Sequence, residues 1–150
     1  MPLSREEIDL FLGEVRLCHF ATVDERRRPR VRPLWYLWRD GAFWLTTRLE
    51  ARHTGRDLED VPVATLSVAS DQKPYRAVIA TGTVKVVGKD PALLKDISSR
   101  YGNESAWLAA ALNEPDRTVL ELRPKSLISW DYGRGDYGKQ NRGISMRTPV

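Results

Sequence analysis

The sequence predicts a mainly β (α+β) domain: six antiparallel strands closed into a barrel, with a few short peripheral helices. Three observations carry this. Short β-branched and aromatic runs are punctuated by turn residues, as in a meander. The order is helix, four strands, a long bent strand, helices and a final strand. Nothing alternates β with α regularly, which argues against a doubly wound parallel sheet.

The elements follow in order. Ser4 is a fitting N-cap, with Glu7 three residues on as in a capping box. Ile8, Phe11, Leu12 and Val15 then recur at helical spacing. Leu17–Val23 reads as the first strand, closed by the polar run Asp24–Pro29, and Val31–Trp38 as the second. Asp40-Gly41 is a hairpin signal before the third strand, Ala42–Thr47. The chain then enters a short helix reaching Leu58. Val63–Val68 is the fourth strand and Tyr75–Val87 a long fifth one, with Gly82 at a bulge or barrel corner. Asp90 caps a helix with Pro91 in its first position, running to Tyr101. Glu104–Leu112 is a second helical piece. Thr118–Leu122 and Leu127–Trp130 make a last strand interrupted at Arg123-Pro124. The glycine-bearing tail from Asp131 reads as loop or partly disordered. The expected domain covers 1–133 and the tail 134–150.

Composition narrows the class. With 41% hydrophobic and 29% charged residues, the chain is neither disordered nor membrane-spanning in type, and no apolar run approaches the ~20 residues of a spanning helix. Arg5, Glu6, Glu7 and Asp9 occupy the place of a signal-peptide core, so the expected compartment is the cytoplasm. Cys18 is the one cysteine, which leaves no disulfide framework and no CxxC metal site. Leu34-Trp35-Tyr36-Leu37-Trp38 is apolar at every position. A strand with two apolar faces needs two covers, and the second is read as a subunit interface.

Charge is concentrated. Nine of the 18 arginines fall within residues 26–56, against Asp40 and Glu50. Arginine's planar fork suits phosphate or carboxylate, although a run such as Arg26–Arg28 reads equally well as a solvated loop. The best constellation is Thr46 and Thr47 at a strand end, a helix start after them, and Arg52 and Arg56 four apart on one helical face. Hydroxyls, backbone N–H groups and guanidiniums placed so would hold the phosphate of a nucleotide-like cofactor.

These residues also carry a resemblance. Phe20–Asp24, Arg28–Tyr36, the strand into Thr46-Thr47, the segment to Arg56-Asp57-Leu58, Pro62–Ala64, Pro74–Val78, Thr81–Val84 and Ser129–Gly133 occur in an order that resembles the pyridoxamine 5′-phosphate oxidase-related split β-barrel family. The likeness spans about residues 5–133 and leans to its flavin- and deazaflavin-dependent oxidoreductase branch. It implies a six-stranded antiparallel split β-barrel with Greek-key-like closure. It further implies a homodimer with FMN or coenzyme F-420 bound between subunits and hydride transfer to a small substrate; Trp and Tyr walls of an apolar ring-facing pocket suggest that this substrate is a flat conjugated molecule. Carried over by position, the ring lies along Arg32, Pro33, Leu34, Trp35 and Tyr36. Thr46, Thr47, Arg52, Thr54 and Arg56 line the phosphate site, with Thr54 standing where relatives commonly carry Lys. Tyr75 and Arg76 come from the partner chain, and Tyr36, Tyr75 and Arg76 are candidates for proton delivery or substrate anchoring. No single catalytic residue and no metal ligand is assigned, because the cofactor's ring does the chemistry.

Two rivals stand beside this reading. Some split-barrel relatives handle haem, with His19, expected inside an apolar strand, or His53 as axial ligand. A basic small-barrel nucleic-acid module would use Arg26–Arg32 beside Trp35 and Tyr36. The aromatics form a run instead of interleaving with the charges, so neither a nucleic-acid nor a membrane partner is expected.

Overall fold

The structure is a computed structural model that describes residues 2–102, 104–133 and 147–149. Among the described residues, four α-helices, α1 (Arg5–Gly13), α2 (Thr54–Asp60), α3 (Pro91–Ser99) and α4 (Glu104–Asn113), accompany eight strands. The strands are β1 (Cys18–Val23), β2 (Pro29–Leu34), β3 (Tyr36–Arg39), β4 (Ala42–Arg48), β5 (Val63–Ala69), β6 (Arg76–Gly88), β7 (Arg117–Asp131) and β8 (Arg147–Pro149). Seven form one antiparallel sheet in the order β2-β1-β5-β6-β7-β4-β3, and β8 pairs with β7.

The expected six-stranded closed barrel is therefore corrected to a seven-stranded open sheet. The reason lies in the apolar run. Val31–Trp38 is not one strand: it breaks at Trp35. β2 pairs with β1, Leu34 opposite Cys18, whereas β3 pairs with β4, Tyr36 opposite Leu45, at the far end of the sheet. The Tyr101 hydroxyl sits at the break. It accepts from the Tyr36 backbone N–H at 3.1 Å and lies 2.7 Å from the Arg16 carbonyl, to which it donates. Backbone groups freed by the break thus keep a partner.

The same split gives the two apolar faces of the run different surroundings within the chain. Tyr36 and Phe43 enter the main core, beside Phe11, Phe20, Leu66, Leu120 and Leu122. Trp35, Leu37 and Trp44 pack outward against Leu94, Ile97 and Trp107 of α3 and α4. Trp35 stacks on Tyr101 at 4.9 Å with ring planes 4° apart, and Trp107 tilts against it. Within the chain, the helix pair α3–α4 packs over the outward side chains of this run and leaves Trp35, Leu37 and Trp44 partly buried.

Local chemistry sets the turns. Ser4 and Glu7 form the capping box, with bonds of 3.2 and 2.7 Å. Asp40 and Gly41, at φ 55° and 70°, supply the left-handed pair that a two-residue hairpin needs. Asp90 caps α3 through the Leu93 N–H at 3.0 Å. The β6–β7 register shifts between Thr81 and Gly82, where Gly82 faces Pro124. β7 continues past Arg123-Pro124, so the expected interruption there does not occur. Within the tail, β7 extends to Asp131 and Arg147–Pro149 is a strand, which corrects the loop reading for those residues. Positions 134–146 lie outside the described residues. Val15 lies beyond α1 and is exposed. Cys18 is buried, which pushes its thiol up to about 12 and removes it from thiolate chemistry. No helix among the described residues is long and apolar enough to cross a membrane.

Candidate functional site

The Arg-rich segment meets the end of β1 and the helical stretch 51–60 in one corner of the sheet. β2 alternates, so Arg30 and Arg32 turn inward while Pro29, Val31 and Pro33 turn outward. The inward pair converges on Asp57 of α2, whose side chain is 2% exposed. Arg30 Nε lies 3.1 Å from Asp57 Oδ2, an ion pair without hydrogen-bond alignment. The Arg32 guanidinium approaches to 3.7 Å. Thr22 of β1 donates its hydroxyl to the same carboxylate at 2.8 Å and accepts from Arg32 Nη1 at 3.0 Å. Arg32 Nη2 donates to the Arg52 carbonyl at 3.4 Å, tying β2 to the helical stretch.

Asp24 closes the other side. It accepts from the Arg26 and Arg28 backbone N–H groups at 2.8 and 2.9 Å and from Arg28 Nε at 2.8 Å. These bonds, the Arg28 backbone one first, hold its carboxyl below the usual aspartate value. Arg56 pairs with Glu25. Asp24, Glu25, Arg30, His53, Arg56 and Asp57 line a cleft of about 50 Å³. Burial draws the Arg32 pKa down; the Asp57 carboxylate opposes this, and the like charges of Arg30 and Arg52 add to the lowering. Arg52 has no ion pair among the described residues. Five guanidiniums (Arg28, Arg30, Arg32, Arg52, Arg56) thus face three carboxylates, and the corner holds an excess of positive charge.

Several expected site residues sit differently. Thr46 and Thr47 are neighbours on a strand and face opposite sides. Thr46 accepts from Arg117 at 3.4 Å, opposite Val119 on the helix side, and Thr47 lies opposite Thr118 on the inner side. They cannot share one phosphate. Arg52 and Arg56 do not share a helical face either. Residues 51–53 form a separate 3-10 turn, with Arg52 and His53 both left-handed at φ 50° and 59°, before α2 begins at Thr54. Thr54 is fully buried and gives its hydroxyl to the Ala51 carbonyl at 2.9 Å, so it offers a ligand nothing. Tyr36 is also in the core. Its hydroxyl donates to the Leu12 carbonyl at 2.9 Å, and burial raises its pKa, so it is no candidate for proton delivery.

The remaining positions scatter. Pro33 is exposed on the outer face, Leu34 packs on the core, and Trp35 lies under α3 and α4. Tyr75 is exposed. Arg76 pairs with Glu14 of its own chain at 3.3 Å and stacks over Phe11. His19 is exposed and not a core histidine, because β1 alternates and it falls on the outer side. Thr22, Asp24 and Asp57 stand in the motifs that carry the resemblance, but the sequence reading gives them no site role. The signal available was a threonine two residues before an aspartate at a strand end, directly ahead of the arginine run.

Two consecutive left-handed residues without glycine are costly, on the order of 1–2 kcal/mol each. His53→Gly is expected to raise stability by about 0.5–1 kcal/mol in urea unfolding, because glycine accepts this φ freely. A loss of stability would mean that the imidazole itself holds the turn.

Comparison with known proteins places this geometry in context. The family model described as pyridoxamine 5′-phosphate oxidase matches residues 4–131. A conserved hypothetical protein of Mycobacterium tuberculosis is 21% identical with a TM-score of 0.73, over 89% of this chain and 90% of its own. An F420 reductase is 23% identical with a TM-score of 0.66, over 79% and 94%. HutZ, the haem storage protein of Vibrio cholerae, is 21% identical with a TM-score of 0.65, over 85% and 94%. No curated protein matches the sequence. Likeness at these identities speaks for the fold, while the family match covers most of the chain: this chain belongs to the pyridoxamine 5′-phosphate oxidase family.

Proposed function

We propose that this chain is an oxidoreductase that seats the phosphate of FMN or coenzyme F-420 in the β1–β2–α2 corner and works on a small conjugated substrate. The observation that carries the reading is the convergence of Arg30 and Arg32 on one buried carboxylate, with the charge of Arg52, which has no ion pair among the described residues, adding to the positive field at Arg32. Such an excess of guanidinium charge is relieved by an anion. The residues present fit a phosphate: Arg32 Nε is buried without a hydrogen-bond partner among the described residues, and Arg30 and Arg56 line the cleft. Asp57 and Thr22 keep Arg30 and Arg32 in place before any ligand arrives, which lowers the ordering cost of binding. Glu25 holds Arg56 until a stronger anion displaces it. The bound cofactor would supply hydride transfer. Tyr75, exposed, and Arg76, beside it, are proposed to reach a partner's site.

Fluorescence titration with FMN and with F-420 tests this. Binding of at least one is expected, with Arg52→Ala and Arg56→Ala each weakening it about 10-fold, the worth of one charge-assisted hydrogen bond. The longer anionic tail of F-420 favours it slightly. If neither compound binds, the reading fails. A haem-handling role has one support of its own, the exposed His53 imidazole at the cleft. A Soret band that His53→Ala abolishes, without flavin binding, would replace the oxidoreductase reading by that one.

A further inference from the structure

We infer that the Arg52-His53 turn is an anion-operated switch: an anion bound in the corner inverts the pair from left- to right-handed and completes one helix from Glu50 to Asp60. The inference rests on the phosphate reading of that corner and adds how the site closes on its ligand.

Within residues 50–60 only Arg52 and His53 leave the right-handed helical region, at φ 50° and 59°. Glu50 before them and Thr54 after them are helical, at φ −79° and −56°, and α2 continues right-handed to Asp60. Left-handed backbone is disfavoured in residues that bear a Cβ, and such strain persists only where the surroundings hold it. Here the holding bonds are few. The Gly55 N–H closes the loop on the Leu49 carbonyl at 2.8 Å. The peptide between Arg52 and His53 is held weakly on both sides. Its carbonyl accepts from Arg32 Nη2 at 3.4 Å, and its N–H donates to the Glu50 carbonyl, also at 3.4 Å. That peptide is the part an inversion turns over.

A ligand shifts such an equilibrium only by binding one form better, and the corner supplies the difference. In the left-handed form the Arg52 carbonyl oxygen takes one of the Arg32 donors, and an anion on Arg32 would meet its partial negative charge. Inversion withdraws that carbonyl and gives Arg32 Nη2 to the ligand. Beside it lies Arg32 Nε, buried without a hydrogen-bond partner among the described residues. Inversion also sets Arg52 and Arg56 four apart on one helical face, at the cleft that Arg30, Arg56 and Asp57 line. Like charges at that spacing oppose the helix until an anion lies between them. A phosphate turns the same pair into a clamp, because guanidiniums bond phosphate oxygens bidentately. Arg52 has no ion pair among the described residues, so its side chain gives up none in the change. The Gly55 N–H passes from the Leu49 to the Ala51 carbonyl, the ordinary helical bond. The helix that the sequence pattern predicts through Leu58, with both arginines on one face, is this second form.

Two substitutions at one position isolate the backbone. His53→Gly and His53→Ala both remove the imidazole and differ in handedness: glycine takes either sign of φ, while alanine disfavours the positive one. Isothermal titration of the full chain with FMN, with F-420 and with inorganic phosphate as the minimal probe reads the outcome. His53→Ala is expected to bind about 5-fold more tightly than His53→Gly, the lower end of the left-handed penalty. In the wild type, the HN–Hα couplings of Arg52 and His53 measured by NMR are expected to fall on saturation, as φ passes from positive to negative. Equal affinities of the two variants overturn the inference. So do couplings that stay unchanged on binding, or that are already low before ligand is added. In these cases the chain still binds, and the phosphate reading stands without the switch. Absence of binding by all three compounds removes both.

Discussion

Asp57→Ala is expected to lower the unfolding free energy by about 3–5 kcal/mol, the range for removing one partner of a buried ion pair. Asp57 is where three interactions end, from the Thr22 hydroxyl, Arg30 Nε and the Arg32 guanidinium, and Arg32 in turn donates to the Arg52 carbonyl. Removing its carboxylate leaves Arg32, whose side chain is 5% exposed, charged and unpaired beside the Phe20 ring. Solvent cannot reach it without opening the corner. Asp57→Asn keeps an acceptor for Thr22 and is expected to lose less. The double change Arg32→Met with Asp57→Leu separates structure from function: it should regain most of the stability, because an apolar pair replaces an ionic one, yet remain unable to bind a phosphate-bearing cofactor. Urea unfolding and flavin titration on the same three proteins read both effects. A stability loss under 1 kcal/mol in Asp57→Ala would show that the arginines do not depend on this carboxylate.

What the sequence made legible was local chemistry. Ser4 with Glu7, Asp40-Gly41, Asp90-Pro91 and Gly82 each act within a few residues, and each stands in the structure where its chemistry requires. Long-range pairing was not legible. Nothing within Leu34–Trp38 states that its two halves pair at opposite ends of the sheet, because that depends on β1 and β4, which lie on either side of it in the chain. The run therefore reads as one continuous strand in the sequence, and nothing within it points to α3 and α4, some 60 residues later, as elements that pack on its second apolar face. The site divides the same way. The arginine run located the corner. Which guanidiniums share it was decided by strand alternation at Arg30 and Arg32, by the left-handed pair Arg52-His53, and by Asp57, 35 residues from the Thr22 it binds. Thr46 and Thr47 fail as a pair for a reason that was available beforehand: strand neighbours face opposite sides.

Gly82→Ala is expected to cost about 3 kcal/mol, the upper end for forcing atoms into a packed interior. The argument is geometric. A Cβ at this position would lie 2.1 Å from the Arg123 carbonyl oxygen, 2.8 Å from its carbon and 2.9 Å from the Pro124 Cα. All three are backbone atoms, so no side chain can swing aside. The two strands must separate where their register shifts, between Thr81 and Gly82. That shift lets one β6–β7 ribbon serve both parts of the fold. One half of β7 pairs with β4 through residues 117–122, and the other carries Ser126–Ile128 against β8. Gly13→Ala is the control. Nothing lies within 4 Å of a Cβ there, and it ends α1, so a gain of about 0.5 kcal/mol is expected from helix propensity alone. Opposite signs in urea unfolding would assign the cost at Gly82 to the close approach of β7. A loss at Gly82 within 0.5 kcal/mol would mean that the ribbon separates freely, and that the shift is not held by the missing side chain.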